Sequence, residues 1–163
     1  MGLTSDELVG VALEIEKHGE ALYRQLAQRF TDPNIKKTFE YLASEEAEHR
    51  KTFEKMLAGG LLPLYPTLEQ GEEDYIRSLV QSQFILAFIK TDVLIMDIKS
   101  ASDAVALGLR MEKETLLFFE SISSSLGGEA SKIFIDILAE EKKHFVRLSA
   151  LARDMNAPKG KDW

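Results

Sequence analysis

Apolar residues recur along this chain at spacings of three and four over four long segments. Such spacing places the apolar side chains along one face of an α-helix. Ser5 is the expected N-cap of the first helix. Asp32-Pro33 is expected to end that helix and begin the second, because aspartate caps a helix and proline fits its first position. The pattern predicts four long helices, over residues 5–30, 33–58, 102–126 and 129–153.

The four helices form two hairpins of similar design, residues 5–58 and 102–153, joined by a connector over residues 59–101. This connector is too long for a tight turn between antiparallel neighbours. It lets the chain return along the bundle, so the second and third long helices should point in the same direction. The sequence therefore predicts a single all-α domain over residues 1–163. Its fold is an up-down four-helix bundle with a long crossover between two duplicated hairpins.

Within the connector the pattern is weaker. Glycine pairs at 59–60 and 127–128 end the second and third long helices. Residues 61–71 contain two prolines and are expected to be irregular, and residues 72–81 are expected to form a short helix. The apolar segment 84–99 does not distinguish between helix and other structure.

Polar residues interrupt the apolar face of every long helix near its middle. The phrase Glu-x-x-His occurs twice, ending at His49 on the second helix and at His144 on the fourth, and a further glutamate lies in the face of each partner helix. A charge that faces the core is costly unless it is paired or bound to a metal ion. We therefore predict a shared metal site with six ligands: Glu16, Glu46, His49, Glu112, Glu141 and His144.

The spacing of these residues suggests a role for each. Residues three apart lie on one helix face, so each Glu-x-x-His can hold one region of space. Equivalent glutamates are 96 residues apart (16 and 112) or 95 apart (46 and 141), which suggests a duplicated, pseudo-twofold site. We expect Glu46 and Glu141 to bridge two metal ions. Glu16 and Glu112 should bind terminally, and each histidine should bind one ion.

Other polar residues near the site have a simpler interpretation. We expect His18 to be a surface residue, and the same holds for five glutamates beside the apolar faces: Glu20, Glu45, Glu48, Glu114 and Glu140. Tyr23 is expected in the core, with a hydrogen bond to a ligand or a redox role as its functional interpretation. Small residues flank the predicted ligands at Ala12, Gly19 and Gly108. They either leave room for an oxygen species or allow close helix packing, and the sequence does not separate the two.

The amino-acid composition excludes several classes of partner and of binding site. The 163 residues carry a net charge of −7, which argues against nucleic acid or an anionic membrane as a partner. The chain has no cysteine, which excludes disulfides, thiolate zinc sites and cysteine-ligated iron–sulfur clusters. The most apolar stretch is interrupted by charges, and residues 1–7 do not resemble a signal peptide, so we expect a cytoplasmic protein. Carboxylate and imidazole ligands suit iron, manganese or zinc, and four carboxylates balance two divalent ions.

The phrases ALEIEKHGEALYRQLA (12–27) and SEEAEHRKTFEKM (44–56), with the second glutamate and Glu-x-x-His set, resemble the ferritin-like superfamily. Within it the chain is most similar to the rubrerythrin-type diiron domain. The resemblance covers the four long helices and implies two iron ions that reduce hydrogen peroxide or dioxygen. Rubrerythrins also carry a rubredoxin part with four cysteines, which this chain lacks, so any electrons are expected to come from an external electron-donor protein or from the iron itself. Thr115 stands where rubrerythrins have an extra carboxylate, and Phe119 replaces a tyrosine at the position equivalent to Tyr23.

Three functions remain open at this point. The first is an oxidoreductase that acts on peroxide or dioxygen. The second is ferrous-iron oxidation or iron handling by the same ligands. The third is a non-enzymatic metal-binding bundle that presents the connector to a partner. The apolar connector is expected to be a dimer surface or a cover for the bundle rather than a cage contact, and we expect a homodimer.

Overall fold

The computed structural model describes residues 2–60, 62–69, 71–81 and 91–157, with the backbone alone at 91–93. These residues form helices and loops without any strand. Six helices lie in the described part of the chain: α1 (Ser5–Arg29), α2 (Pro33–Gly59), α3 (Glu72–Val80), α4 (Thr91–Met96), α5 (Ala101–Ser123) and α6 (Gly128–Asn156). The predicted all-α class is confirmed, and each predicted long helix matches an observed one to within three residues at either end.

The connector agrees with its prediction where it is described. The short helix expected over 72–81 is α3, and residues 62–69 contain no helix. The ambiguous segment 84–99 yields α4, but its residues before 91 lie outside the described residues, as does the tail from 158. Ile76 of α3 is fully buried against one end of the bundle and Ile98, after α4, against the other. The described connector therefore covers both ends of the bundle.

Side chains that cap the helices explain where the helices begin. The predicted cap at Ser5 is wrong by one residue, because Thr4 is the N-cap of α1. The Glu7 amide donates to the Thr4 hydroxyl, and the Glu7 carboxylate accepts from the Thr4 amide, which is a capping box. Asp32 caps α2 as predicted, since its carboxylate accepts from the amides of residues 34 and 35.

The third long helix, α5, differs most from its prediction. It begins at a second capping box, formed by Ser100 and Asp103. It ends at Ser123, three residues before the predicted end at Leu126. The amide and the hydroxyl of Ser125 both donate to the carbonyl of Ile122. Such local bonds from a serine compete with continuation of a helix.

Two apolar clusters fill the bundle and fix its topology. One joins the second half of α1 to the first half of α2, the first half of α5 and the second half of α6. The other joins the opposite halves of the same four helices, through residues such as Val9, Phe53, Phe119 and Phe134. Hence α2 and α5 run in the same direction, and α1 and α6 run opposite to both. This confirms the crossover between the two hairpins.

The predicted ligands lie between the two clusters. On each long helix, the nearest cluster residues on either side of the ligand belong to opposite ends, as with Ile15 before Glu16 and Leu22 after it. The bundle therefore holds one polar layer at mid-height, enclosed by apolar side chains. Among the described helices, none has the combination of length and apolar character that a membrane span requires.

Candidate metal centre

The polar layer brings all six predicted ligands together. None of the six residues is more than 5% exposed, although every one of their side chains can carry a charge. Burying charged side chains from four helices at one level would be strongly unfavourable without a shared counter-charge. The six residues are Glu16 of α1, Glu46 and His49 of α2, Glu112 of α5, and Glu141 and His144 of α6.

The six residues form two overlapping groups. The first group consists of Glu16, Glu46, His49 and Glu141, and the second of Glu46, Glu112, Glu141 and His144. Within each group one donor atom per residue lies within 4.8 Å of all the others. Glu46 and Glu141 belong to both groups. Shared carboxylates between two sets of terminal ligands are the arrangement that a dinuclear site in a bundle requires.

His49 spans the layer from the inside to the outside. Its Nδ1 faces the first group, 2.7 Å from Glu141 Oε1 and 3.5 Å from Glu16 Oε2. Its Nε2 points the other way and lies 2.8 Å from Glu140 Oε2. The inner nitrogen therefore faces the carboxylates while the outer nitrogen has its own partner.

His144 is related to His49 by the duplication but has different surroundings. Its Nδ1 lies 3.2 Å from Glu141 Oε2 and 3.5 Å from Glu46 Oε1. Its Nε2 is buried and makes no hydrogen bond within the described part of the chain. The two imidazole rings are stacked, with centroids 5.6 Å apart. Nδ1 of each histidine thus faces the shared carboxylates, but only Nε2 of His49 has a hydrogen-bond partner among the described residues.

Several inward-facing atoms lack a hydrogen-bond partner among the described residues. They include both carboxylate oxygens of Glu16, Nδ1 of His49 and Oε1 of Glu141. The close approach of the last two atoms lacks the alignment of a hydrogen bond. A buried polar atom without a partner costs roughly 1–3 kcal/mol. Metal ions would satisfy these atoms, and carboxylate with imidazole is a suitable donor set for iron, manganese or zinc. The residues present therefore fit a dinuclear metal site.

The same burial changes the proton affinities of the layer. Burial alone lowers the pKa of both histidines, but the adjoining carboxylates outweigh it. They raise the pKa of His49 to about 12 and that of His144 to about 11. Burial and the neighbouring carboxylates raise the pKa of Glu16 and Glu112 well above the ordinary value. Burial opposes ionisation of Glu141 too, but contacts with both histidines hold its pKa well below the ordinary value. Protons thus balance the charge of the metal-free layer.

Tyr23 lies where its predicted interaction requires. Its hydroxyl donates to Glu112 Oε1, and its ring is fully buried and stacked on Phe39. Burial and the nearby carboxylates of Glu112 and Glu46 raise the pKa of this phenol well above its ordinary value, so it remains a donor. Phe119, at the equivalent position, has no hydroxyl and packs against Phe53 and Phe134. Only one of the two predicted terminal carboxylates therefore has a phenol donor.

Glu140 is a residue whose contact the sequence analysis missed. Its side chain is 47% exposed, in keeping with the predicted surface position, yet its carboxylate contacts the buried His49 ring. The signal was present in the sequence, since a second glutamate precedes each Glu-x-x-His at positions 45 and 140. Of the other glutamates expected at the surface, Glu20 pairs with Arg24 and Arg50, and Glu48 pairs with Lys51.

The small residues beside the ligands now have separate explanations. A Cβ atom on Gly108 would lie 3.0 Å from Leu148 Cδ1, so this glycine allows close packing of α5 and α6. A Cβ atom on Gly19 would lie 3.3 Å from the carboxyl carbon of Glu46. Gly19 therefore leaves room for the side chain of a predicted bridging ligand.

We expect Gly19→Ala to weaken metal binding by about tenfold, because the new methyl group would displace the carboxylate of Glu46, and a misoriented ligand loses affinity on this scale. Gly10→Ala is the matched control, since a Cβ atom there meets nothing within 4 Å. Both substitutions should favour the helix by roughly 0.5–1 kcal/mol. Metal titration followed by calorimetry measures the difference, and equal affinities in the two variants would contradict this interpretation of Gly19.

Fold and site together define a ferritin-like four-helix bundle with a carboxylate and histidine site that fits two metal ions. The profile of the family described as Rubrerythrin matches residues 7–152. The chain therefore belongs to the rubrerythrin family. A crystal structure from Thermotoga maritima, of a protein described as ferritin-like and diiron-carboxylate, has the same fold with a TM-score of 0.70. It is 22% identical, and the match covers 94% of this chain and 97% of that one. No curated protein matches the chain significantly.

Proposed function

We propose that the chain is a diiron-carboxylate oxidoreductase that reduces hydrogen peroxide or dioxygen with electrons from an external donor protein. The observation that carries the proposal is the pair of overlapping ligand groups that share Glu46 and Glu141. Membership of the rubrerythrin family supports iron as the metal. Manganese and zinc suit the same ligands, but zinc has no redox chemistry. A cytoplasmic location and a homodimeric assembly are part of the same proposal.

Each group would hold one ion through one histidine, one terminal glutamate and the two shared glutamates. Bound non-haem iron would supply the electrons for cleaving an O–O bond. For hydrogen peroxide the balance is two electrons and two protons consumed and two waters formed. The protein's own contribution is to orient the ligands, as Tyr23 does for Glu112, and to surround the layer with apolar side chains. The 163 residues contain no cysteine, so a thiolate-ligated iron centre that supplies electrons would lie outside them.

Stopped-flow mixing of the anaerobic ferrous protein with hydrogen peroxide tests the proposal. We expect oxidation many times faster than that of free ferrous ion, and we expect Glu46→Ala to lose this rate. Glu48→Ala is the matched control, because Glu48 lies in the same motif but is exposed and paired with Lys51.

Three outcomes would count against the proposal. A rate equal to that of free ferrous ion would contradict peroxide reduction. Repeated turnover of excess ferrous ion without any donor would favour iron oxidation as the function. Elemental analysis of anaerobically purified protein that finds no iron or manganese would leave a bundle without redox function.

A further inference from the structure

The two histidines of the metal centre differ in what holds their outer nitrogen. Nε2 of His49 lies 2.8 Å from a carboxylate oxygen of Glu140, on the neighbouring helix α6. Nε2 of His144 is buried and makes no hydrogen bond to any residue that the structure describes. This difference is not expected from the duplicated sequence, in which both motifs read Glu-Glu-x-x-His.

The equivalent of Glu140 is Glu45, which by the duplication should reach from α2 to His144. Instead Glu45 accepts a hydrogen bond from the hydroxyl of Tyr41, one turn earlier on its own helix, at 3.2 Å. The rings of Tyr41 and His144 are perpendicular, with centroids 6.2 Å apart and planes at 89°. The guanidinium of Arg147 covers the Tyr41 ring at 4.0 Å from its centroid. Tyr41 therefore lies against His144 and donates a hydrogen bond to Glu45, the carboxylate that the duplication would place near Nε2 of His144.

We propose that Glu140 is a positioning residue for His49, and that the first group consequently binds its metal ion more tightly than the second. This inference rests on the proposed function, since it requires the dinuclear site. By accepting the Nε2 proton, Glu140 fixes the ring orientation and leaves the Nδ1 lone pair facing the first group. A carboxylate behind a metal-binding imidazole also makes that imidazole a stronger ligand.

The second group has an outer hydrogen bond of its own, but it acts in the opposite sense. Tyr23 donates a hydrogen bond to Glu112 and so withdraws electron density from that carboxylate. Glu140 accepts a hydrogen bond from His49 and so adds electron density to that ring. Both differences favour the first group, whose terminal carboxylate Glu16 has no competing donor among the described residues.

Cobalt(II) titration of the metal-free protein, followed by its visible spectrum and by calorimetry, tests the affinity difference. We expect two resolved binding steps in the wild type. Glu140→Ala should weaken the affinity of the tighter step by about 10–100-fold, which is typical for the loss of a residue that hydrogen-bonds a metal ligand. The affinity of the weaker step should not change. Glu140→Gln should lose less, because its amide oxygen still accepts the ring N–H. Glu140 is half-exposed, so these variants should fold.

Glu45→Ala is the matched control, because it removes the same charge from the equivalent position and should leave both steps unchanged. A second readout needs no metal. In proton NMR of the metal-free protein, an Nε2 proton of His49 protected from exchange should be present in the wild type and Glu45→Ala and lost in Glu140→Ala.

Each remaining outcome is decisive. Equal losses in Glu140→Ala and Glu45→Ala, or no loss in either, would overturn the inference while leaving the dinuclear site intact. Absence of a protected Nε2 proton on His49 in the wild type would overturn the positioning role of Glu140. Absence of any cobalt binding in the wild type would instead contradict the proposed function.

Discussion

Glu141→Ala is expected to abolish tight binding of both metal ions, whereas Glu16→Ala should abolish the binding of only one. Glu141 belongs to both ligand groups and Glu16 only to the first. If Glu141 bridges the two ions, its loss removes a ligand from each of them at once. Elemental analysis or native mass measurement after exposure to iron(II) or manganese(II) gives the number of ions per chain.

Glu112→Ala provides the mirror-image control, because Glu112 belongs only to the second group. It should also lose one ion, and the ion that remains should differ from the one retained by Glu16→Ala. A Glu141→Ala protein that still binds one ion tightly would contradict the bridging role. A Glu16→Ala protein that loses both would show that the two groups do not bind independently.

The same substitution should also destabilise the metal-free protein. Glu141 is fully buried, with its oxygens 2.7 Å from His49 Nδ1 and 3.2 Å from His144 Nδ1. Its removal would leave two buried imidazolium groups without their nearest counter-charge, and breaking a buried ion pair in this way typically costs about 3–5 kcal/mol. Urea unfolding of the metal-free variants measures this loss, and Glu48→Ala, with its exposed side chain, should show little change.

The fold could be predicted from the sequence because the apolar periodicity and the polar interruption are local properties of each helix. The stripe around Glu16 or Glu141 identifies the buried face, and the cost of burying a charge identifies the layer where the helices must meet. The cap at Thr4 was missed by one residue, since Thr4 and Ser5 are both good caps and only the backbone conformation chooses between them.

The contact between Glu140 and His49 could not be predicted in the same way. Periodicity places Glu140 beside the buried face of α6, but its reach to α2 depends on the distance and rotation between the two helices. The equivalent residue Glu45 makes a different contact, although its position in the motif is identical. A neighbouring tyrosine decides the outcome, and sequence spacing alone does not reveal which of two acceptable partners a carboxylate takes.

The metal-free protein is expected to lose stability as the pH rises above about 6.5, and metal binding should remove this loss. The pKa of His49 is raised to about 12 and that of His144 to about 11 in the folded protein, against 6.5 as their ordinary value. A raised pKa contributes stability that is fully present below the unfolded pKa and is lost as the pH rises through the folded pKa. Each histidine should therefore cost about 1.4 kcal/mol per pH unit above 6.5.

Two of the buried glutamates act in the same direction as the histidines, and a third acts against them in acid. Glu16 and Glu112, whose pKa values are raised, act in the same direction from about pH 4.5 upward. Glu141, whose pKa is lowered, stabilises the fold above its ordinary pKa of 4.5 and loses that contribution as the pH falls. Between pH 6.5 and 9 the two histidines should dominate, so the melting temperature of the metal-free protein should fall steadily.

Metal ions and these protons compete for the same atoms, which gives the prediction a second measurement. Binding two divalent ions should release protons, up to two of them from the imidazolium rings, and the raised pKa values of Glu16 and Glu112 act in the same direction. Affinity should therefore rise with pH, and calorimetry in buffers of different ionisation enthalpy counts the protons. The double variant His49→Gln, His144→Gln should lose most of the pH slope of stability above 6.5. A melting temperature of the metal-free wild type that is flat from pH 6.5 to 9 would show that protons do not balance the charge of this layer.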